Sequence, residues 1–164
     1  MSGLYLRPPW RTDRNDIVYA HMTHDSLVIY TDGGARGNPG PSGIGVAIFD
    51  KDKKLIATHK EFIGYATNNQ AEYKAVILAL EKASVLGAKN INFFLDSLLV
   101  VKQLRGEFRM KNEGLKPLQQ QVFRLSNKFS SINYSYVPRE QNKVADKLVN
   151  EAIDEGINNV NKVF

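Results

Sequence analysis

The chain has 164 residues, of which 43% are apolar and 24% are charged, and these values fit one globular domain with its own core. Cysteine is absent, which excludes disulfide frameworks and thiolate metal sites and agrees with a cytoplasmic location, and no apolar run approaches the ~20 residues of a membrane span. The net charge of +5 favours a polyanionic partner, although charge alone does not identify one.

The first 25 residues show no sustained periodicity and include the extended segment RPPWR. We expect residues 1–25 to be an N-terminal extension, either a disordered or non-native leader or a basic arm that touches nucleic acid. The regular pattern of a folded domain covers residues 26–156, and residues 157–164 are expected to be a C-terminal tail.

Three β-rich runs begin the domain: SLVIYTD at 26–32, IGVAIFD at 44–50 and KLIATHKEFIG at 54–64. Their short connections predict an antiparallel meander. The segment TDGGARGNPGPSG at 31–43 holds five glycines and two prolines in thirteen positions. We expect it to be neither helix nor regular strand, and to let another backbone come close.

A helical period follows in TNNQAEYKAVILALEKASVLG, between a capping box of Thr67 and Gln70 and the stop signal Gly87. The remaining segments predict a strand at 91–96, a short helix at 97–106, an amphipathic helix at 115–129, a strand at 132–138 and a last helix at 142–156. The order βββαβααβα predicts an α/β fold with a mixed sheet flanked by helices.

Four carboxylates occupy positions that such a fold can bring together. Asp32 and Asp96 end predicted strands, whereas Glu72 and Asp146 lie near the starts of predicted helices. Singly, each has a structural explanation as a turn former, a helix-dipole partner or a cap. If the two strands are parallel neighbours, the four acids meet, and their mutual repulsion favours a pair of divalent cations. Mg²⁺ is the natural choice, and two ions about 3.5–4 Å apart suit in-line displacement at phosphorus.

The segments that carry these acids resemble, in order, the motifs of ribonuclease H type 1. They are YTDGGARGNPGPSG, TNNQAEYKA, LDSLLVVKQL and VPREQNKVADKLVNEA, and the resemblance covers about residues 26–156. It implies a ribonuclease H-like fold with a five-stranded mixed sheet whose first three strands are antiparallel. It also implies cleavage of the RNA strand of RNA–DNA hybrids with two Mg²⁺ ions, for which Mn²⁺ can substitute, leaving 3′-hydroxyl and 5′-phosphate ends.

The resemblance also implies roles for individual residues. Asp32 would bridge both ions, Glu72 and Asp96 would complete the leaving-group side, and Asp146 would hold the ion that activates water. The residues implied for hybrid contact lie in the glycine-rich segment and at the start of the first helix: Gly33, Gly34, Arg36, Asn38, Thr67, Asn68 and Asn69. Free N–H groups at a helix start attract phosphate, and short polar side chains can distinguish the 2′-hydroxyl of RNA. We expect a monomer.

The chain departs from many members of that family in two places. The stretch YVPREQNKVAD has no histidine before the last aspartate, and Arg139 resembles the arginine of a shorter-looped subgroup. Because arginine cannot transfer a proton at neutral pH, we expect Arg139 to steady a phosphate; the alternative is a surface ion pair with Glu140 or a solvated side chain. The chain also lacks a basic protrusion after the short helix, and Leu98 stands where many members hold a polar RNA contact.

Other functions stay open at this stage. Integrases, transposases and resolvases use similar acid clusters on DNA, although the TNN segment at 67–69 argues for recognition of a 2′-hydroxyl. Double-stranded RNA is a further possible substrate. A non-catalytic hybrid-binding module would be expected to lack at least one of the four acids, and all four are present.

Overall fold

The computed structural model describes residues 24–163, so almost all of the expected N-terminal extension at 1–25 lies outside the described residues. The strands are β1 (Ser26–Ala35), β2 (Gly40–Asp50), β3 (Leu55–Ala66), β4 (Asn90–Leu95) and β5 (Ser131–Tyr136). The α-helices are α1 (Asn68–Val85), α2 (Leu98–Leu104), α3 (Lys116–Ser126) and α4 (Lys143–Val163), and a 3₁₀ turn at Arg139–Gln141 precedes α4. None of these helices has the length and apolar content needed to cross a membrane.

The five strands form one mixed sheet in the order β3-β2-β1-β4-β5. The first three strands pair in antiparallel fashion, whereas β4 runs parallel to both β1 and β5, which confirms the predicted fold class. Thr31 of β1 pairs with Leu95 of β4. The next residue on each strand path is an aspartate, so parallel pairing brings Asp32 and Asp96 to the same sheet edge.

The main core lies between one face of the sheet and helices α1, α2 and α3. Its largest fully buried side chains include Tyr73 and Leu80 of α1 and Phe93 of β4. Burial of each large apolar side chain contributes about 1.5–3 kcal/mol, so this layer fixes α1 against β1 and β2. Helix α4 covers the opposite face, where it packs on β2, β3 and β1.

The glycine-rich segment is more regular than its sequence suggests. The prediction that 31–43 is neither helix nor strand was wrong, because β1 extends to Ala35, β2 begins at Gly40 and only 36–39 lie outside the strands. Glycine is tolerated here because the two strands pair with each other across the segment, with Gly34 opposite Gly43.

Close approach does occur at these glycines, and the approaching backbone is the protein's own. A Cβ atom on Gly33 would overlap the backbone of Ala71 in α1. A Cβ atom on Gly45 would lie 2.5 Å from the carbonyl oxygen of Ala145 in α4. These glycines therefore let both helices that carry acids pack directly on the strands beneath them.

Helix α4 is longer than predicted. It was expected to end at 156, but it continues to Val163, so residues 157–163 of the expected tail are helical. Gly156 does not end the helix. A Cβ atom at this position would overlap the ring of Phe62, so glycine here lets α4 cross closely over β3.

Candidate active site

Three carboxylates meet at the carboxyl ends of β1 and β4. Asp32 on β1, Glu72 on α1 and Asp96 directly after β4 each offer an oxygen atom, and these atoms lie within 4.8 Å of one another. Asp146, in the first turn of α4, lines the same cavity of about 510 Å³. The structure thus brings together the four acids singled out in the sequence, which come from four separate elements.

Local structure fixes the two most buried acids. The backbone N–H of Gly33 donates to Oδ1 of Asp32 at 3.0 Å. The start of α1 is held by a reciprocal cap, in which the N–H of Gln70 donates to the Thr67 hydroxyl oxygen at 3.2 Å and the N–H of Thr67 donates to Oε1 of Gln70 at 2.9 Å. This cap sets the position of Glu72, whose side chain is buried one turn farther along α1.

Burial makes this cluster a poor place for negative charge. Burial, together with the charge of Asp96, raises the pKa of Asp32 to about 7. Burial and the neighbouring charge of Asp32 hold the pKa of Glu72 well above its usual value. Burial also raises the pKa of Asp96, although the amide of Asn142 and the charge of Arg139 oppose the shift. The protein without a cation therefore retains protons here near neutral pH.

The donor set fits a divalent cation. All of its ligand atoms are carboxylate oxygens, which hard cations such as Mg²⁺ and Mn²⁺ prefer. In addition, Oε2 of Glu72 is buried and has no hydrogen-bond partner among residues 24–163. Such an atom is costly in an apolar setting unless something binds it, and a cation would satisfy it.

Asn142 is a residue at this site that the sequence analysis did not single out. Its side chain is buried, and its Nδ2 donates both to the carbonyl oxygen of Thr31 at 2.9 Å and to Oδ2 of Asp96 at 3.1 Å. The backbone carbonyl oxygen of Asn142 accepts the N–H of Asp146 at 3.1 Å. One residue thus joins β1, Asp96 and the start of α4. The available signal was an asparagine four residues before Asp146 at a predicted helix start, which suggests only a cap.

Arg139 lies at the mouth of the cavity. Its Nη2 is 3.2 Å from Oδ1 of Asp146, and its side chain is 77% exposed. The charge of Asp146 raises the pKa of Arg139. Of the alternatives considered from sequence, a pair with Glu140 is not formed within the described chain, since the ion-pair partner of Arg139 is Asp146.

The residues predicted to contact the hybrid surround the turn between β1 and β2. Oδ1 of Asn38 accepts the N–H of Asn68 at 3.0 Å, and Oδ1 of Asn68 accepts the N–H of Ala35 at 2.8 Å. These two bonds join the turn to the start of α1. The predicted contacts that line the acid cavity are Gly33, Gly34, Arg36, Asn68 and Asn69.

Two more of the predicted contacts, Thr67 and Arg36, also have structural roles in the protein. Thr67 caps α1 through its hydroxyl oxygen. The guanidinium of Arg36 pairs with Asp154 of α4 and also approaches Asn150. Both side chains of the Arg36–Asp154 pair are substantially exposed, so the pair is weak and its arginine can exchange partners.

Comparisons with known proteins agree with this arrangement. A family model described as reverse transcriptase-like matches residues 30–152. The ribonuclease HI of Halobacterium salinarum is 41% identical over 126 residues, covering 77% of this chain and 63% of that protein. The ribonuclease H of Ruthia magnifica is 32% identical over 148 residues, covering 79% of this chain and 97% of that protein.

Solved structures are similar as well. RNase H1 from Halobacterium salinarum matches with a TM-score of 0.77 at 40% identity, covering 79% of this chain and 98% of that one. LC11-RNase H1, solved in complex with an RNA/DNA hybrid, matches with a TM-score of 0.77 at 40% identity, covering 80% and 99%.

The extent of the match differs among relatives. A bifunctional protein of Mycobacterium tuberculosis is 44% identical over 129 residues, which cover 78% of this chain but 35% of that protein. The chain therefore spans about a third of that relative, and most of the ribonuclease H of Ruthia magnifica. By its family match, its sheet order and its extensive identity to these proteins, the chain belongs to the ribonuclease H family.

Proposed function

We propose that this chain is an endonuclease that hydrolyses the RNA strand of RNA–DNA hybrids and leaves 3′-hydroxyl and 5′-phosphate ends. The observation that carries the proposal is the meeting of four carboxylates at one sheet edge, beside the start of α1. Support comes from relatives named as ribonucleases H and from the hybrid bound to LC11-RNase H1.

We infer that the cluster uses two Mg²⁺ ions and accepts Mn²⁺ in their place. Asp32, Glu72 and Asp96 would hold the ion on the leaving-group side, and Asp32 with Asp146 would hold the other. Bound there, the pair would activate the attacking water and stabilise the leaving oxygen of an in-line displacement. The high pKa of Asp32 in the metal-free protein indicates that metal binding releases protons.

The chain's own residues would bind and orient the substrate. Asn68 and Asn69 lie at the start of α1, where the helix dipole attracts phosphate, although the N–H groups of Asn68 and Gln70 are already bonded within the protein. The oxygen atoms of Asn38 and Asn68 are engaged within the protein, which leaves their NH₂ groups as donors toward a sugar hydroxyl. Arg139 is placed to hold a phosphate oxygen, and it cannot move a proton at neutral pH.

The proposal is tested with three labelled substrates: an RNA–DNA hybrid, duplex DNA and duplex RNA, each with Mg²⁺ and with chelator. We expect cleavage of the RNA strand of the hybrid in Mg²⁺ alone. Asp32→Asn should abolish this cleavage, and Asp52→Asn, which alters an exposed acid in the β2–β3 turn, should retain it. Hybrid cleavage that survives chelation would contradict the metal mechanism, and cleavage of duplex DNA alone would identify a DNA nuclease.

We further propose that the chain acts as a monomer in the cytoplasm, without a membrane partner. The absence of cysteine agrees with a reducing compartment. All four acids come from one chain, so a second copy is not required to complete the cluster. Light scattering should give a mass near 18.4 kDa; twice that mass would contradict the monomer.

A further inference from the structure

A second cavity is lined in part by the segment at 140–144. Its volume is about 460 Å³, and none of the residues that line it also lines the acid cavity. Its lining includes three aromatic residues and three lysines: Tyr30, Phe49, Phe94, Lys51, Lys53 and Lys143. Neither the family resemblance nor the proposed cleavage reaction uses these residues.

The aromatic residues give the cavity an apolar lining. The rings of Tyr30 and Phe94 are stacked, with centroids 5.1 Å apart and planes 21° from parallel. The ring of Phe49 meets Tyr30 edge-on at 5.7 Å. All three side chains are only half-buried, although they lie on central strands of the sheet. Partly exposed aromatic side chains of this kind can pack against another planar ring.

The charge around the cavity favours an anion. Lys51, Lys53 and Lys143 form no ion pair with any carboxylate of residues 24–163. Glu140 is the one acidic residue in the lining. The adjacent Asp50 uses Oδ1 to accept the backbone N–H groups of Asp52 and Lys54, both at 2.9 Å. The lysine charges are therefore available to a ligand.

We propose that this cavity binds a free nucleoside monophosphate, with its base on the Tyr30–Phe94 stack and its phosphate among the lysines. The combination of a planar ring and an anionic group matches the two kinds of surface that the cavity offers. Its volume falls within the range of about 300–1,000 Å³ that is typical of small-molecule sites, and it suits one nucleotide rather than a duplex.

An occupant would also contact the segment that organises the acid cluster. Asn142 lines this cavity, and its Nδ2 donates to Asp96 and to the carbonyl oxygen of Thr31. Binding therefore has a reporter that does not depend on cleavage, because a shift of the segment changes the environment of the Asn142 side-chain NH₂ group.

The test is a titration of the ¹⁵N-labelled full chain with adenosine 5′-monophosphate, followed by NMR in the presence of chelator. The chelator keeps metal from joining the phosphate to the acid cluster. We expect saturable shifts at the residues that line the cavity and at the NH₂ group of Asn142. Adenosine and inorganic phosphate, titrated separately, should each bind at least threefold more weakly than the nucleotide.

Two variants assign the contributions. Lys51→Ala/Lys53→Ala should weaken nucleotide binding at least threefold while leaving adenosine binding unchanged. Lys54→Ala is the matched control, because Lys54 belongs to the same turn but does not line the cavity, and it should have no effect. Phe94→Leu keeps an apolar side chain but removes the stack, and it should weaken both nucleotide and adenosine binding.

The absence of saturable shifts in the intact chain would overturn the proposal. So would shifts centred on the acid cluster, or equal affinity for nucleotide and inorganic phosphate. These results concern the second cavity alone, so they are independent of whether the chain cleaves a hybrid.

Discussion

Asp32 carries a stability cost in the metal-free protein, and the sign of that cost follows from its pKa. Folding raises the pKa of this carboxyl from 3.8 to about 7, so the folded state binds the proton more tightly than the unfolded state does. Its stabilising contribution is therefore complete below about pH 4 and is lost as the pH rises to about 7. At about 1.4 kcal/mol per pH unit, the loss is at most about 4 kcal/mol.

The substitution Asp32→Asn removes this titration while preserving an oxygen that can accept the N–H of Gly33. In chelator, we expect the variant to be more stable than the wild type at pH 8 and less different from it at pH 5. Chemical denaturation at the two pH values measures the effect. If the free energy of unfolding of the variant changes between pH 5 and pH 8 as much as that of the wild type, another group controls the pH dependence.

Asn142 should act by holding Asp96 rather than by contacting substrate. Asn142→Ala removes two hydrogen bonds from a buried amide, so we expect a loss of about 1–3 kcal/mol in the free energy of unfolding. We expect a lower kcat and a higher Mg²⁺ concentration for half-maximal activity, while KM for the hybrid changes little. Asn133→Ala is the control, because it removes an exposed hydrogen bond between the side-chain amides of Asn133 on β5 and Asn92 on β4. If Asn142→Ala needs the same Mg²⁺ concentration as the wild type, Asn142 contributes only to packing and not to the position of Asp96.

Substitutions of Arg139 can distinguish a contact with the substrate phosphate from a role in metal binding. Arg139→Ala should lower turnover several-fold and leave metal affinity nearly unchanged, because its pair with Asp146 is largely exposed and therefore weak. Arg139→Lys should recover part of the activity, since it restores charge without the forked donor geometry. Equal turnover in the wild type and the alanine variant would show that Arg139 forms only a surface ion pair and does not hold a phosphate.

At the scale of elements, the contact of α1 with β1 depends on a glycine. Gly33→Ala would drive a methyl group into the backbone of Ala71, so we expect a loss of at least about 3 kcal/mol in stability. Gly34→Ala is the matched control, because a Cβ atom there would lie 3.6 Å from Val149 Cγ1, an ordinary contact. Thermal unfolding compares the two variants, and equal losses would contradict this account of the glycine-rich segment.

Much of the fold was predictable because its signals are local. The Thr67–Gln70 capping box and Gly87 define α1 in both sequence and structure. The C-terminal end of α4 and the strands around 31–43 were less predictable, because the glycines there make close contacts with residues distant in sequence. Gly156 faces Phe62 and Gly33 faces Ala71, and neither pairing is visible from spacing along the chain.

The same distinction applies to the candidate site. The four acids could be singled out because each is a charged residue at a predicted strand end or helix start. Asn142 could not, because its importance arises from simultaneous bonds to Thr31 and Asp96, more than 40 positions away. A buried amide between two strand ends has no periodic signature in the sequence.

At the scale of the whole molecule, metal binding and folding should be linked. A cation that binds the folded acid cluster and not the unfolded chain stabilises the fold by about 2.7 kcal/mol at 100 times its Kd. We therefore expect the melting temperature to rise with Mg²⁺ concentration in the wild type and to remain flat in Asp32→Asn. NaCl at equal ionic strength controls for screening of the net charge of +5, because Na⁺ carries a single charge and binds carboxylates weakly.

The most direct test of the central claim is anomalous diffraction from crystals of this chain soaked in Mn²⁺. We predict two anomalous peaks at the edge where β1 and β4 end, one among Asp32, Glu72 and Asp96 and one between Asp32 and Asp146. A crystal that holds Mn²⁺ elsewhere, with no peak within coordination distance of Asp32, would contradict the assignment of this cluster as the catalytic metal centre.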